Sequence, residues 1–108
     1  MTDLSIVICT YDRPASLEAT LKSCLAQTNA LGLSIEIVIV DNHLSGSARP
    51  VVEGLAAGAR WPLRYVTELT RNMSTLRNRG FAEARGRLAA LIDDDEVAQP
   101  DWLGQLGG

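Results

Sequence analysis

Aromatic side chains are scarce. They make up 5% of the 108 residues, so any core has to be built from Leu, Ile, Val and Ala. Histidine occurs once, at His43, and the two cysteines, Cys9 and Cys24, lack the spacing of a metal site. Both cysteines sit inside apolar patterns and are expected to be buried, reduced thiols. No apolar run approaches the roughly 20 residues that span a bilayer. The N-terminal apolar stretch has no basic region before it and no small-residue cleavage site. No signal peptide is expected, and the cytoplasm is the expected compartment. Basic residues are not in excess either: the net charge is −3, which argues against nucleic acid or an anionic membrane as partner. Several signatures are missing as well. There is no Gly-x-Gly-x-x-Gly after the first apolar run, no Gly-Lys-Ser/Thr and no Gly-x-Ser-x-Gly. A Rossmann dinucleotide site, a Walker-type nucleotide site and a serine hydrolase are therefore unsupported.

What is present is ordinary for a globular chain: 46% hydrophobic and 21% charged residues, enough for a single domain over residues 1–108. Apolar runs stand out at Leu4–Cys9, Ile35–Val40, Leu63–Val66 and Leu88–Ile92. The first two are nearly continuous and β-branched, as in parallel strands covered on both faces. Leu17, Leu21, Cys24 and Leu25 recur on one helical face, and Pro14 suits the first turn of that helix. A second helix is expected from about Ala48 to Gly58. A third is expected from an N-cap at Ser74, carrying Leu76, Phe81 and Ala84 inward and ending at Gly86 in a left-handed cap. A short last helix opens at Pro100. The order β-α-β-α-β-α-β predicts an open, mostly parallel α/β sheet with helices on both faces.

Ligands of such sheets gather beyond the carboxyl ends of the strands. Thr10-Tyr11-Asp12-Arg13 follows the first strand, Asp41-Asn42-His43 the second and Asp93-Asp94-Asp95-Glu96 the fourth. Four adjacent carboxylates repel one another unless a cation or partner relieves them. In extended backbone Asp93 and Asp95 share a side, and two hard oxygen ligands suit Mg²⁺ or Mn²⁺. A solvated acidic loop is the other reading. Asp41 either accepts hydrogen bonds from a base or sugar, or closes an Asx turn. Tyr11 either stacks a planar ring or simply packs. Arg71, Arg77, Arg79, Arg85 and Arg87 flank the third helix. Arg77, nearest its start, is the candidate phosphate contact, and the others read as solvated.

Together these residues resemble the family 2 glycosyltransferases of the GT-A fold, from Leu4 to Leu103. Ser5–Arg13 is similar to the family's opening strand and Thr-Tyr-Asn-Arg turn. Ile37–Asn42 is similar to its second strand, and Leu76-Arg77-Asn78-Arg79-Gly80 with Ala84-Arg85-Gly86 to its Ala-Arg-Asn-x-Gly helix. Leu91–Asp95 is similar to its Asp-x-Asp motif and Pro100–Leu103 to the helix after it. The resemblance implies a GT-A, Rossmann-like fold and a nucleotide-sugar donor site, with a UDP-sugar as the expected donor. Thr10, Tyr11 and Asp41 would hold the nucleoside, Asp41 reading the base edge, commonly uracil. Arg13, Arg77 and Asp94 belong to the same expected site. Asp93 would face the ribose or the metal shell, and Asp95 would ligate Mg²⁺ or Mn²⁺ at the diphosphate. It also implies an enzyme that inverts at the anomeric carbon by direct displacement, a carboxylate deprotonating the acceptor hydroxyl.

The chain departs from the family's pattern in places. Thr70-Arg71-Asn72 stands where Asn-x-Gly is usual, and Leu76 replaces an alanine. The chain stops soon after Asp95, before the family's acceptor half and general base. The expectation is thus a truncated donor-binding half that binds a nucleoside diphosphate with metal and turns over little sugar alone. Leu88, Leu91 and Ile92 on a poorly covered fourth strand are expected to meet another copy. Other classes stay open. A response-regulator receiver would need acidic residues and a lysine at positions where they are absent. A sugar nucleotidyltransferase would need a Gly-rich loop after the first strand. A non-catalytic nucleotide-binding or interaction module on the same fold is the main alternative.

Overall fold

A computed structural model describes residues 2–29 and 32–103. In chain order it contains β1 (Leu4–Thr10), α1 (Pro14–Leu25), β2 (Ile35–Asp41), α2 (Ala48–Ala56), β3 (Leu63–Thr67), α3 (Met73–Glu83) and β4 (Leu88–Asp93). The strands form one parallel sheet in the order β3-β2-β1-β4. The chain steps outward from β1 through β2 to β3. It then crosses back to lay β4 on the other side of β1. The order therefore reverses between β1 and β4, the switch point at which open α/β sheets hold ligands. Among the described residues no helix is long and apolar enough to cross a membrane.

Alternation along the strands divides the core in two. Leu4, Ile6 and Ile8 of β1 and Ile35, Ile37 and Ile39 of β2 face α1 and α2, where Leu17, Leu21, Cys24, Ala48 and Val52 meet them. Val7, Val38, Val40 and Val66 face α3 and meet Leu76. The side backed by two helices thus carries the larger isoleucines and the side backed by one carries valines. The smaller side chains matter under α3, which lies close enough that a Cβ on Gly80 would stand 2.4 Å from Cγ1 of Val7.

The third helix differs from its expected form. Its N-cap is Asn72, not Ser74: extended backbone there lets Oδ1 accept from the Thr75 N–H at 3.1 Å. Phe81 points out, 43% exposed, because the contacting face is set by Leu76 and Gly80 four residues apart, and Phe81 lies one position round the helix. The helix ends at Glu83 with extended backbone at Ala84, and Gly86 has no left-handed conformation. Glycine is needed at that position for a different reason. A Cβ would stand 2.6 Å from the Ser5 nitrogen and 2.7 Å from the Leu4 carbonyl carbon. The second helix stops at Ala56 rather than Gly58. At Pro100 and Asp101 the chain turns, becoming helical at Trp102 and Leu103; the rest of the expected last helix lies outside the described residues.

A buried polar network ties the end of α3 to the sheet. Glu36 accepts from Ser5 Oγ at 2.5 Å, from the Arg85 N–H at 2.6 Å and from Arg64 at 3.1 Å. Arg64 also donates to the Glu83 carbonyl and, at 3.0 Å, to its carboxylate. Burial pushes the Glu36 carboxyl up, but the hydrogen bonds from Ser5, the Arg85 N–H and Arg64 outweigh it and leave the group below its ordinary value. Cys24 is buried and Cys9 half-buried, both as free thiols. On β4, Ile92 belongs to the chain's own core and is not available to another copy, whereas Leu88 is 71% exposed.

Candidate functional site

A cleft of about 420 Å³ opens at the switch point. Cys9, Thr10, Tyr11 and Arg13 line it from the end of β1, and Leu91 to Asp95 from the end of β4. The start of α3 adds Met73, Leu76 and Arg77, and Asn42 closes the side toward β2. The N-terminal turn of α3 thus faces the same space as two arginines and three aspartates. Helix N-termini and guanidinium groups favour anions, and carboxylates favour cations. A cleft offering both suits a ligand that is itself an anion paired with a metal.

The acidic run is a turn, not a continuation of the strand. β4 ends at Asp93, so strict alternation no longer governs Asp94 and Asp95. Asp94 turns inward, 8% exposed, where Oδ2 accepts from the Thr10 hydroxyl at 2.9 Å. Arg13 lies 3.7 Å from Asp94 and 3.6 Å from Asp95. The Glu96 N–H donates to the Asp93 carbonyl at 3.2 Å, and the Glu96 carboxylate accepts from the Asp93 N–H at 3.2 Å. Repulsion among the carboxylates is thus relieved by specific donors at Asp94 and Glu96, and Asp93 and Asp95 are left exposed at the cleft. Among the described residues no three metal-ligating side chains converge. Two exposed carboxylates nonetheless fit a hard divalent cation of the kind that takes one or two protein ligands and completes its shell with phosphate and water.

Tyr11 stands at the mouth with its ring clasped on two sides. The Arg71 guanidinium sits 4.6 Å from the ring centroid, and His43 packs edge-on at 4.8 Å. The preceding Thr10 is buried and the following Asp12 adopts a left-handed φ of 51°, which turns the chain sharply into α1. His43 Nε2 lies 3.8 Å from Asp12.

The eight expected site residues fall out unevenly. Thr10, Tyr11, Arg13, Arg77, Asp93, Asp94 and Asp95 all line the cleft. Asp41 does not. It is fully buried, with Oδ2 accepting from the Tyr65 hydroxyl at 2.6 Å and Oδ1 from the His43 N–H at 3.0 Å. Parity explains this: Asp41 shares the face of Ile37 and Ile39, and Tyr65 sits on the same face of β3, in register with Ile39. Burial and the Asp41 carboxylate push the Tyr65 hydroxyl up. Asn42, the next residue, reaches the cleft instead and donates to the carbonyls of Glu68 at 2.6 Å and Thr70 at 3.0 Å. Its place directly after β2 was the available signal for it. Cys9, Met73 and Leu76 also line the cleft without having been singled out. The Cys9 thiol is pushed up to about 11, chiefly by burial, with Arg77 pulling down and Asp94 and Asp93 pushing up. It is a neutral wall of the cleft. Arg79 pairs with Glu68 and Glu83, away from the cleft lining.

Comparison with known proteins places this geometry. The sequence model of glycosyl transferase family 2 matches residues 5–106. The succinoglycan biosynthesis protein ExoM of Rhizobium meliloti is 35% identical over 103 residues, which is 95% of this chain and 33% of that protein. The validoxylamine A glucosyltransferase of Streptomyces hygroscopicus is 32% identical, over 93% of this chain and 24% of its own length. Among solved structures, the TarS 1-349 fragment of S. aureus superposes with a TM-score of 0.83 at 19% identity, covering 98% of this chain and 31% of that one. The same fragment in complex with UDP-GlcNAc gives 0.81. The chain spans about a third of the length of the first curated relatives it matches.

Proposed function

The chain belongs to glycosyl transferase family 2, and on that premise we propose that its cleft binds a nucleoside diphosphate sugar, a UDP-sugar first, together with Mg²⁺ or Mn²⁺, for transfer of the sugar to an acceptor hydroxyl. The observation that carries the reading is the meeting of Arg13, Arg77 and the α3 N-terminus with Asp93 and Asp95 in one cleft at the switch point. TarS 1-349 has been solved in complex with UDP and with UDP-GlcNAc, which supports the choice of base.

In this reading Arg77 and the first turn of α3 hold the diphosphate, and Arg13 screens Asp94 and Asp95 from each other. Tyr11 offers its ring at the mouth for the base or ribose. Asp41 fixes the turn beyond β2 and reaches the nucleoside through Asn42 and His43. Asp93 and Asp95 would hold the cation, which supplies neutralising charge to the diphosphate leaving group. Thr10 keeps Asp94 from competing for it. The transfer itself is an inverting displacement. The acceptor oxygen bonds to the anomeric carbon as the bond to the diphosphate oxygen breaks, the electron pair leaves with the nucleoside diphosphate, and the hydroxyl proton passes to a base. No described residue is assigned as that base.

Calorimetry with UDP and GDP, each with and without Mn²⁺, tests the reading. Binding strengthened by Mn²⁺, and losing that gain in Asp95→Asn, is the expected result. Failure of every nucleoside diphosphate to bind in a metal-dependent way would sink it.

A further inference from the structure

Helix α1 has a polar stripe as well as an apolar one. Leu17, Leu21 and Cys24 enter the core, while Thr20 and Ser23 lie three residues apart on a neighbouring line and Gln27 follows just past the helix end. Every member of this stripe bonds the backbone of the segment after β4. The Thr20 hydroxyl donates to the Glu96 carbonyl at 2.6 Å, with the Asp94 carbonyl also in reach at 3.0 Å. Ser23 Oγ accepts from the Ala98 N–H at 2.9 Å and donates to the Thr20 carbonyl at 2.7 Å. Gln27 donates to the Gln99 carbonyl at 2.5 Å and accepts from the Leu103 N–H at 2.9 Å. Thr20 and Gln27 are buried and line no part of the cleft. Residues 94–101 have no strand or helix of their own, so these side chains supply the partners that a regular element would have given.

The two carbonyls that Thr20 reaches belong to the residues on either side of Asp95. Among the described residues the Asp95 side chain has a single loose pair, with Arg13, in which both side chains are 57% exposed. Exposed pairs of that kind hold little. The position of the Asp95 carboxylate is therefore set by its backbone, and its backbone is set by Thr20.

We propose that Thr20, backed by Ser23, is a positioning residue: from outside the cleft it fixes the turn on which Asp95 stands and so tunes the affinity of the site for its divalent cation. The inference rests on the donor-site reading above. Groups that orient a metal ligand without touching the metal commonly change affinity by about 10- to 100-fold when removed.

The test compares Thr20→Val, which keeps the shape and loses the donor, with Thr20→Ser, which keeps the donor. UDP is titrated into each with and without Mn²⁺, and exchange of the Glu96 amide is followed in the same proteins. In Thr20→Val, the Mn²⁺-dependent gain in affinity is expected to fall by about 10-fold or more while metal-free binding stays within about 2-fold, and the Glu96 amide is expected to exchange faster. Thr20→Ser is expected to restore both. A Thr20→Val protein that keeps the full Mn²⁺ gain, or that loses metal-free binding in equal measure, overturns the proposal. If circular dichroism shows Thr20→Val unfolded, Ser23→Ala takes its place, and a wild-type Mn²⁺ gain in that variant overturns it equally. A wild-type protein with no Mn²⁺ gain at all sinks the donor-site reading itself, which separates the two failures.

Discussion

Replacing Gly80 by alanine adds one methyl where the helix backbone lies on the sheet. That methyl would stand 2.4 Å from Cγ1 of Val7 and 3.3 Å from Cγ2 of Val40. Carbon atoms settle at roughly 3.5–4.0 Å, so the first contact is short by more than 1 Å. Val7 is fully buried and cannot swing aside into solvent. Either α3 lifts or Val7 leaves its rotamer, and overpacking of this kind costs about 1–3 kcal/mol. Against it stands the helix preference of Ala over Gly, about 1 kcal/mol. A contact this short puts the cost at the upper end of that range, so the net expectation is a loss of about 2 kcal/mol, or a fall in Tm of about 10 °C at this chain length. Urea unfolding should show a lower midpoint with an unchanged slope. The decisive measurement is the cycle with Val7→Ala. That change alone removes buried methyl groups and costs about 2 kcal/mol, but it also clears the space that the new methyl needs. The double variant should therefore be more stable than the two single losses predict, by about 1 kcal/mol or more. Additive losses, or a Gly80→Ala protein as stable as wild type, would refute the packing argument.

Gly86→Ala is expected to cost more than Gly80→Ala and to resist rescue, because its new Cβ meets backbone atoms of Leu4, Ser5 and Leu88; urea midpoints of the two variants compare them directly. The Glu36 carboxyl sits below its ordinary value in the folded chain, so its stabilising contribution is complete above the unfolded value of about 4.5 and disappears as the pH drops through the lower folded value. Glu36→Gln should lose about 1.5–3 kcal/mol at neutral pH and flatten the acid limb of a stability curve; an unaltered limb would count against the assignment. With its thiol at about 11, Cys9 should be alkylated by iodoacetamide at pH 8 far more slowly than a free thiol, the thiolate being about a thousandth of the total. Fast labelling of Cys9 in a mass-spectrometric time course would contradict that.

The parts of this fold that could be read from the sequence are those where one-dimensional pattern and three-dimensional neighbour coincide. The β-branched runs of β1 and β2 and the apolar line of α1 declare their burial directly. The rule that ligands gather beyond strand ends led to Thr10, Arg13 and Asp93–Asp95 without any knowledge of strand order. Other features depended on contacts that a pattern does not carry. α3 packs through the backbone at Gly80, so it has few apolar side chains to announce which way it faces, and Phe81 was misplaced. Asn72 and Ser74 are both capping residues two positions apart, and only the entry direction of the chain decides between them. Gly86 was expected to close α3 in a left-handed cap, and what it serves instead is a close backbone crossing that no pattern announces. Asp41 looked like Asp93, each closing an apolar run. Their difference lies in Tyr65, a partner supplied by the register of β3.

The unequal halves of the core have a consequence for how the chain can change. Under α1 and α2, side chain rests on side chain, so a swap such as Ile37 to Leu can be answered by a rotamer shift across the gap. Beneath α3 the sheet meets bare main chain at Gly80, and the helix backbone there has nothing to give. Natural drift and deliberate repacking should therefore concentrate on the isoleucine side, while Val7 and Val40 stay within a narrow range of sizes because the residue opposite them at Gly80 has no side chain to trim.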